Sequence, residues 1–226
     1  MCEELKVVVF DMDGVLIKWR SSWRVLHQYF NSLDIVEERN DAERFQRGEI
    51  SYREWMARDL QAILKATNKP VTKEDLLKVF SNYELEEGVE ELVNVVKGYH
   101  LKTAIVSGGI DLLAELIRER LGLDMALANK LTFSSDGYLL PEGVEVVNPL
   151  RKSEVLTRIS KELNIPLSKF MFIGDSLWDL EAMNVVGHPV FVLKDEGIDL
   201  NILKNVFVVK SLRELIPYIN RICSKK

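Results

Sequence analysis

Two carboxylates close an apolar segment near the start of the chain, where Val7–Phe10 is followed by Asp11, Met12, Asp13 and Gly14. A run of β-branched and aromatic residues predicts a buried strand. Side chains alternate along an extended chain, so Asp11 and Asp13 are expected to project together while Met12 points away. Two carboxylates this close repel each other unless a cation or a shared proton lies between them. The segment therefore predicts either a site of metal or proton chemistry or an ordinary Asp-Gly turn.

Polar residues also follow two later apolar segments, at residues 101–106 and 170–173. In chain order they are Ser107-Gly108-Gly109 and then Gly174-Asp175, with Asp179 one helical turn further. Each cluster alone is compatible with a loop. The carboxyl ends of parallel strands, however, meet at one edge of an open α/β sheet, where such sheets bind ligands. Three clusters at equivalent strand ends therefore predict one common site.

The residue types in these clusters indicate phosphate chemistry assisted by a metal. Asp11, Asp13 and Asp175 form an all-oxygen set suited to Mg²⁺, which keeps water ligands that a phosphate can displace. Ser107 and the glycine after it, Gly108, offer a hydroxyl and backbone N–H groups to an anion.

A cation is expected opposite the metal, and Lys152 is the candidate. It lies at the start of a predicted helix, where a positive charge opposes the helix dipole and so hints at a specific role. The simpler interpretations are a solvated surface lysine at this position and a helix cap at Ser107.

Strands and helices alternate through most of the chain. We predict strands at residues 7–10, 101–106, 170–173, 189–193 and 206–209, helices at 88–96, 111–121, 153–163 and 212–222, and a hairpin at 131–140. This alternation predicts an α/β fold, a Rossmann-like parallel sheet with helices on both faces.

A long segment after the first strand has no strand signal. Ser21, Ser51 and Thr72 are predicted to begin helices there, the last with Asp75 as its capping partner. We therefore predict a helical cap domain at residues 17–83, inserted into a core formed by residues 1–16 and 84–226.

Composition excludes several classes of function. The chain has 226 residues, is 47% hydrophobic and has a net charge of −5 without a basic tract, so no nucleic-acid partner is expected. It has no apolar run long enough to span a membrane, and no signal peptide is expected. Cys2 and Cys223 lie near the two ends and indicate no disulfide framework or zinc cluster, so a cytoplasmic location is expected.

The three clusters and Lys152, in their order along the chain, resemble the four motifs of the haloacid dehalogenase superfamily of phosphohydrolases. The matching residues are Asp11-Met12-Asp13-Gly14-Val15, Ser107, Lys152, and Gly174-Asp175-Ser176-Leu177-Trp178-Asp179. The stretches at residues 106–111, 121–124 and 128–131 resemble the phosphoserine-phosphatase-like branch, and the helical insert resembles that superfamily's cap.

The resemblance implies a role for each residue. Asp11 would be the nucleophile that forms an aspartyl-phosphate, and Asp13 would be the general acid and base. Ser107 and Lys152 would hold the phosphoryl oxygens. Mg²⁺ would be bound by Asp11, by the Asp13 backbone carbonyl and by Asp175. Asp179 would orient Lys152 or nearby waters.

The sequence departs from the branch where phosphoserine phosphatases recognise serine. Arg20 occupies the position of a Glu that meets the substrate ammonium, Asp59 aligns with a cap Arg, and Trp178 replaces a usual Asn. A cationic Arg20 would repel an ammonium and suits a neutral or anionic leaving group. We therefore predict a Mg²⁺-dependent phosphatase for a small-molecule phosphate ester other than phosphoserine, with Arg20 among its substrate-binding residues.

Several alternatives stay open. A true phosphoserine phosphatase and a phosphomutase would use the same residues. Gly174-Asp175-Ser176-Leu177 also matches the start of a GDSL-type serine esterase, although that class needs an Asp-x-x-His later, and Val185 lies three residues before His188. A non-catalytic binding protein is the third class. A monomer or a homodimer is expected.

Overall fold

A seven-stranded sheet organises the molecule, a computed structural model that describes residues 2–194 and 197–224. Its strands are β1 (Val7–Phe10), β2 (Lys102–Ile110), β3 (Met125–Phe133), β4 (Leu139–Val144), β5 (Phe170–Gly174), β6 (His188–Val192) and β7 (Phe207–Val209). They lie in the order β4-β3-β2-β1-β5-β6-β7. Every neighbouring pair is parallel except β3 and β4, which form the predicted antiparallel hairpin. The predicted α/β fold is confirmed.

Strand β1 is buried on both faces because helices cover both sides of the sheet. Val8 and Phe10 belong to one hydrophobic cluster, and Val7 and Val9 to the other. This alternation explains why the strand is an unbroken apolar run and why the polar chain begins only at Asp11.

Ten α-helices surround the sheet in the described part of the chain. They are α1 (Ser22–Tyr29), α2 (Leu33–Arg39), α3 (Asp41–Gln46), α4 (Tyr52–Ala66), α5 (Lys73–Phe80), α6 (Val89–Gly98), α7 (Asp111–Leu121), α8 (Lys152–Leu163), α9 (Leu180–Met183) and α10 (Leu215–Cys223). Helices α6, α7 and α10 contribute to the hydrophobic cluster of Val8, whereas α8 and α9 contribute to that of Val7.

Helices α1 to α5 lie between the first two strands, where the sequence predicted helices. Ser21 caps α1, and Ser51 and Thr72 form capping boxes at the starts of α4 and α5, as predicted. The sequence analysis missed the division between α2 and α3, where Asn40 has a φ of 49°. Both helices are short, and α2 has no buried residue, so neither leaves an apolar stripe in the sequence.

The chain leaves the sheet and returns to it at adjacent points. Ile17 bridges Leu85, and the Glu86 amide donates to the Leu16 carbonyl at 3.0 Å. The proposed boundaries at residues 16 and 84 are consistent with this crossing and stay a prediction.

Strand β2 is longer than predicted, because it continues through Ser107-Gly108-Gly109 as far as Ile110. Ser107 therefore does not cap the next helix, and α7 follows Ile110, which gives it no side-chain cap. Strand β3 likewise begins at Met125, before the segment expected to form the hairpin. The extension of β2 keeps Ser107 at the sheet edge in an extended conformation.

A disulfide joins Cys2 to Cys223, whose Cα atoms are 4.3 Å apart. The expectation that these cysteines form no disulfide is wrong, because α10 returns the end of the chain to the segment before β1. Disulfides are typical of oxidising compartments and of proteins from hyperthermophiles, so the cytoplasmic location stays a prediction. Within residues 2–194 and 197–224, no helix has the length and apolar character needed to cross a bilayer.

We expect this disulfide to stabilise the fold, because it closes a loop between cysteines 221 positions apart. Removing it in a Cys2→Ser/Cys223→Ser variant should lower the free energy of unfolding by about 5 kcal/mol, through the entropy gained by the unfolded chain. Denaturant titration with and without reductant measures the change. The serine variant is the control, since reductant should not alter it. Equal midpoints for the oxidised and reduced wild-type protein would contradict the prediction.

Candidate active site

The predicted residues meet at the carboxyl edge of the sheet, between β1 and β5. The chain proceeds from β1 toward β2 on one side and from β5 toward β6 on the other, so a crevice opens at this point. Asp11 directly follows β1, and Asp175 directly follows β5. Both carboxylates are buried. The sheet topology therefore brings together two acidic groups that are 164 positions apart in the sequence.

Lys152 connects the two ends of this cluster. Its Nζ lies 2.9 Å from Asp11 Oδ2 and donates to Asp179 Oδ1 at 2.6 Å. Lys152 and Asp179 are 3% and 0% exposed, so the surface-lysine interpretation is excluded. Burial alone would lower the pKa of Lys152, but the carboxylates of Asp11 and Asp179 raise it above its ordinary value. Lys152 is therefore a fixed cation, and its hydrogen bond to Asp179 is compatible with the predicted orienting role of that carboxylate, which stays a prediction.

A further carboxylate, Glu181, lies outside the predicted set and stabilises the start of the helix that carries Lys152. Helix α8 begins at Lys152 without a side-chain cap from its own sequence. Glu181 on α9 instead accepts hydrogen bonds from the Ser153 amide, at 3.0 Å, and from the Ser153 hydroxyl. A negative charge at a helix N-terminus is favourable and offsets the cost of placing a lysine there. The sequence offers no local signal for this contact, because the partners are 28 residues apart.

Asp11 and Asp13 line the same cleft, while Met12 is fully buried, as the alternation of side chains predicted. Burial raises the pKa of Asp11, and Lys152 opposes this effect. Burial also raises the pKa of Asp13, to about 7. Ser22 at the start of α1 donates to Asp13 Oδ2 at 2.8 Å. Asp13 can therefore carry a proton near neutral pH, as a general acid requires.

Ser107 and Gly108 form the third side of the cleft. The Ser107 hydroxyl accepts a hydrogen bond from the Gly109 amide at 3.1 Å, which leaves its own hydrogen available to an anion. The Gly108 carbonyl accepts from Asn129 at 2.9 Å and from the Tyr52 hydroxyl at 2.5 Å. This segment is therefore fixed by β3 and by cap helix α4 together.

The carboxylates fit a divalent cation. Asp11, Asp175 and Asp179 each offer an oxygen, and these atoms lie within 4.8 Å of one another. Burial raises the pKa of Asp175 to about 7, with Asp11 adding to the shift, so a bound cation would relieve this crowding. Gly14, with a φ of 73°, allows the close approach, since a Cβ there would lie 2.1 Å from Asp175 Oδ2. Asp11 and Asp175 line the cleft, whereas Asp179 is fully buried behind Lys152, so the first two are the carboxylates open to an ion bound there.

The cleft has a volume of about 260 Å³. Beyond the polar end it is lined by Trp23, Tyr52, Trp55 and Trp178. Trp178, noted above for replacing a usual Asn, contributes to this wall, and Trp19 does not line the cleft.

Arg20 also lines the cleft, and its Nη1 lies 3.5 Å from Asp175 Oδ2. Asp59 occupies the position of the cap Arg that phosphoserine phosphatases carry, and it does not line the cleft. It is buried inside the cap, where Arg39 Nη2 donates to Asp59 Oδ1 at 3.1 Å. The neighbouring Arg58 bonds to Asp41 at 3.0 Å. Neither Asp59 nor Arg58 lines the cleft. Both residues instead form ion pairs within the helical insert and stabilise its structure.

The esterase alternative loses its support. Ser176 donates to Asp179 Oδ2 at 3.1 Å, whereas His188 begins β6 at the opposite end of the sheet. His188 instead bonds to the Tyr218 hydroxyl at 2.9 Å, which is a structural role. The pair therefore cannot form a nucleophile and base.

Comparison with known proteins identifies related sequences. A model of haloacid dehalogenase-like hydrolases matches residues 5–187. The phosphoserine phosphatase of Methanocaldococcus jannaschii is 28% identical over 226 residues, covering 97% of this chain and 100% of that protein. The phosphoserine phosphatase of Archaeoglobus fulgidus is 26% identical over 177 residues, covering 78% of this chain. The chain spans only 49% of that relative's length and 58% of the length of the Saccharomyces cerevisiae relative that it also matches.

Solved structures agree on the fold. A substrate-bound phosphoserine phosphatase complex superposes with a TM-score of 0.76 at 23% identity, covering 96% of this chain and 99% of the other. A haloacid dehalogenase family hydrolase from Salmonella enterica serovar Typhi gives 0.78 at 19% identity, covering 98% and 72%. The expected phosphoserine-phosphatase-like branch is confirmed. Because the matched model covers strands β1 to β5 and the acidic strand ends, the chain belongs to the haloacid dehalogenase-like hydrolase family.

Proposed function

We propose that this protein is a Mg²⁺-dependent phosphatase that hydrolyses a small-molecule phosphate monoester through an aspartyl-phosphate. The observation that carries the proposal is the placement of Asp11, with its carboxylate 2.9 Å from the Lys152 ammonium, in one cleft with Asp13. One carboxylate would attack and the other would move the proton. Two carboxyl groups with separate tasks in one site are typical of such chemistry.

In the first step a carboxylate oxygen of Asp11 attacks phosphorus, and the bond from phosphorus to the ester oxygen breaks. Asp13 gives its proton to the departing oxygen, which leaves as an alcohol. Lys152 and the Ser107 hydroxyl hold the phosphoryl oxygens while negative charge spreads over them.

In the second step water attacks the phosphorus of the aspartyl-phosphate. Asp13, now a carboxylate, takes a proton from that water. The bond from phosphorus to the Asp11 oxygen breaks, and this releases inorganic phosphate and restores the Asp11 carboxylate. Ser22 holds Asp13 in position through both proton transfers.

Bound Mg²⁺ would neutralise the phosphoryl oxygens and draw them toward the nucleophile. The residues that would hold it are Asp11 and Asp175 through their carboxylates and Asp13 through its backbone carbonyl. This all-oxygen set suits Mg²⁺, which keeps several waters.

An Asp11→Asn variant tests the mechanism. It should lower kcat for p-nitrophenyl phosphate by about ten-thousand-fold or more, because an amide is a poor nucleophile. EDTA should abolish wild-type activity, and added Mg²⁺ should restore it. Asp136→Asn, an exposed position in the β3–β4 hairpin, is the matched control and should retain full activity. Activity that survives both EDTA and Asp11→Asn would overturn the proposal.

The substrate is proposed to differ from phosphoserine. The relatives are named phosphoserine phosphatases, which keeps that activity as the second candidate. Arg20 in the cleft disfavours it, since this cation would face the substrate ammonium. A phosphomutase would use the same groups, and a requirement for a bisphosphate activator would identify one.

Substrate competition separates the two candidates. We expect that phosphoserine does not exceed the best of the other phosphate esters in a broad panel by more than tenfold in kcat/KM. Phosphate release with Mg²⁺ present measures each value. A larger preference for phosphoserine would make this a true phosphoserine phosphatase.

Substitution of Arg20 tests its charge directly. The kcat/KM ratio of phosphoethanolamine, which carries an ammonium, to uncharged ethyl phosphate should rise from wild type to Arg20→Gln to Arg20→Glu. The whole series should span about tenfold, since Arg20 is partly exposed and screened by water. Arg53→Glu, on the exposed surface of α4, makes the same charge change outside the cleft and should leave the ratio unchanged. A constant ratio in the Arg20 series would mean that Arg20 does not meet the leaving group.

A further inference from the structure

Four aromatic side chains form the wall of the cleft beyond its phosphate-binding end. They are Trp23, Tyr52, Trp55 and Trp178, so three of the chain's four tryptophans lie at one place. We name this set the aromatic wall. Trp55 and Trp178 are partly exposed, in contrast to residues of a sealed core.

The aromatic wall is built from both sides of the cleft. Trp178 follows β5, and Trp55 belongs to cap helix α4, yet their ring centroids are 6.0 Å apart. Tyr52 lies 5.7 Å from Trp55, and Phe45 supports both tryptophans from behind, 5.6 Å from Trp55 and 6.0 Å from Trp178. These spacings are those of interacting ring pairs. The rings of Tyr52, Trp55 and Trp178 therefore form one connected group with Phe45.

The polar atoms of two wall residues are already engaged. The Tyr52 hydroxyl donates to the Gly108 carbonyl at 2.5 Å, and Trp23 Nε1 donates to the same oxygen at 3.4 Å. Burial raises the pKa of Tyr52, so it stays uncharged. Trp23 can therefore offer a leaving group ring surface, whereas Tyr52 is buried and supports the wall from within.

Charged partners for an amino-acid leaving group are scarce. Among the described residues that line the cleft, Arg20 is the charged side chain outside the set assigned to phosphate and metal, and it contacts Asp175. A zwitterion would need a carboxylate and a cation at fixed positions on the wall. The wall instead offers apolar faces, which suit a flat ring.

The available space also fits a ring. Cavities of about 150 Å³ in proteins hold benzene. The cleft has about 260 Å³, which leaves room for a phosphoryl group beside such a ring.

We propose that the alcohol half of the substrate carries a flat, unsaturated ring that packs against Trp55 and Trp178. This inference rests on the proposed phosphatase function and specifies its substrate class. Trp55 and Trp178 are then specificity-determining residues for the leaving group.

The test compares benzyl phosphate with cyclohexylmethyl phosphate. Both esters release a primary alcohol of similar acidity and size, so they differ chiefly in whether the ring is flat. We expect kcat/KM to favour the benzyl ester by about tenfold in the wild-type enzyme, from two ring contacts. A preference below threefold overturns the proposal.

Substitutions in the aromatic wall identify the residues responsible for the preference for the benzyl ester. Trp55→Leu and Trp178→Leu should each reduce the benzyl preference to threefold or less, whereas Trp178→Phe should keep it because a ring remains. Tyr29→Leu, at an exposed position on α1 outside the cleft, should retain the full preference. The ratio is internal to each variant, so a change in the amount of folded enzyme cancels. A wall that serves only to pack the cap against the sheet would leave the ratio unchanged in every variant, and that outcome overturns the proposal.

Binding of the corresponding phosphonates separates this proposal from the proposed function. Benzylphosphonate and cyclohexylmethylphosphonate cannot be hydrolysed at a P–O ester bond, and calorimetry with Mg²⁺ gives their dissociation constants. Tighter binding of the benzyl compound without turnover of any phosphate ester would retain the ring site and reject the phosphatase. Hydrolysis of acetyl phosphate that depends on Asp11, with equal binding of both phosphonates, would retain the phosphatase and reject the ring.

Discussion

The contact of one buried ammonium with two buried carboxylates is the constraint on which the site depends. Lys152 lies between Asp11 and Asp179, and burying any one of these charges alone would be costly. The carboxylates of Asp11, Asp175 and Asp179 lie close together against two cations, Lys152 and the exposed Arg20, so negative charge is in excess and favours a further cation. The shortage of positive charge that costs stability therefore favours binding of a metal ion, whose charge would in turn attract a phosphate.

The rest of the molecule holds the residues of this cluster in position. Parallel pairing of β1 with β5 fixes the separation of Asp11 and Asp175. Glu181 caps the helix that begins with Lys152, and the lack of a side chain at Gly14 lets Asp175 approach. These supports are strand pairing, the missing side chain of a glycine, and one carboxylate that accepts two hydrogen bonds from Ser153. The reactive groups therefore rest on strands and on a capped helix start, which are rigid elements.

The sequence was most informative where local pattern and chemistry coincide. The apolar run before Asp11 and the capping signals at Ser51 and Thr72 are local, so they predicted β1, α4 and α5 correctly. The disulfide was missed because its partners meet only after the whole chain has folded. Glu181 and the aromatic wall were missed for the same reason, since their contacts join segments far apart in sequence. The clusters at the strand ends could be predicted as one site because parallel strands bring their carboxyl ends to the same edge of the sheet, however far apart they lie in the sequence.

The Gly108 carbonyl has a consequence for any movement of the cap. It accepts hydrogen bonds from Trp23, Tyr52 and Asn129, and the first two of these donors belong to the helical insert. Lifting the insert would break both bonds at a peptide adjacent to Ser107, leaving Asn129 as the remaining donor among the described residues. Entry of a substrate and the rigidity of the segment Ser107-Gly108 therefore both depend on this one carbonyl oxygen.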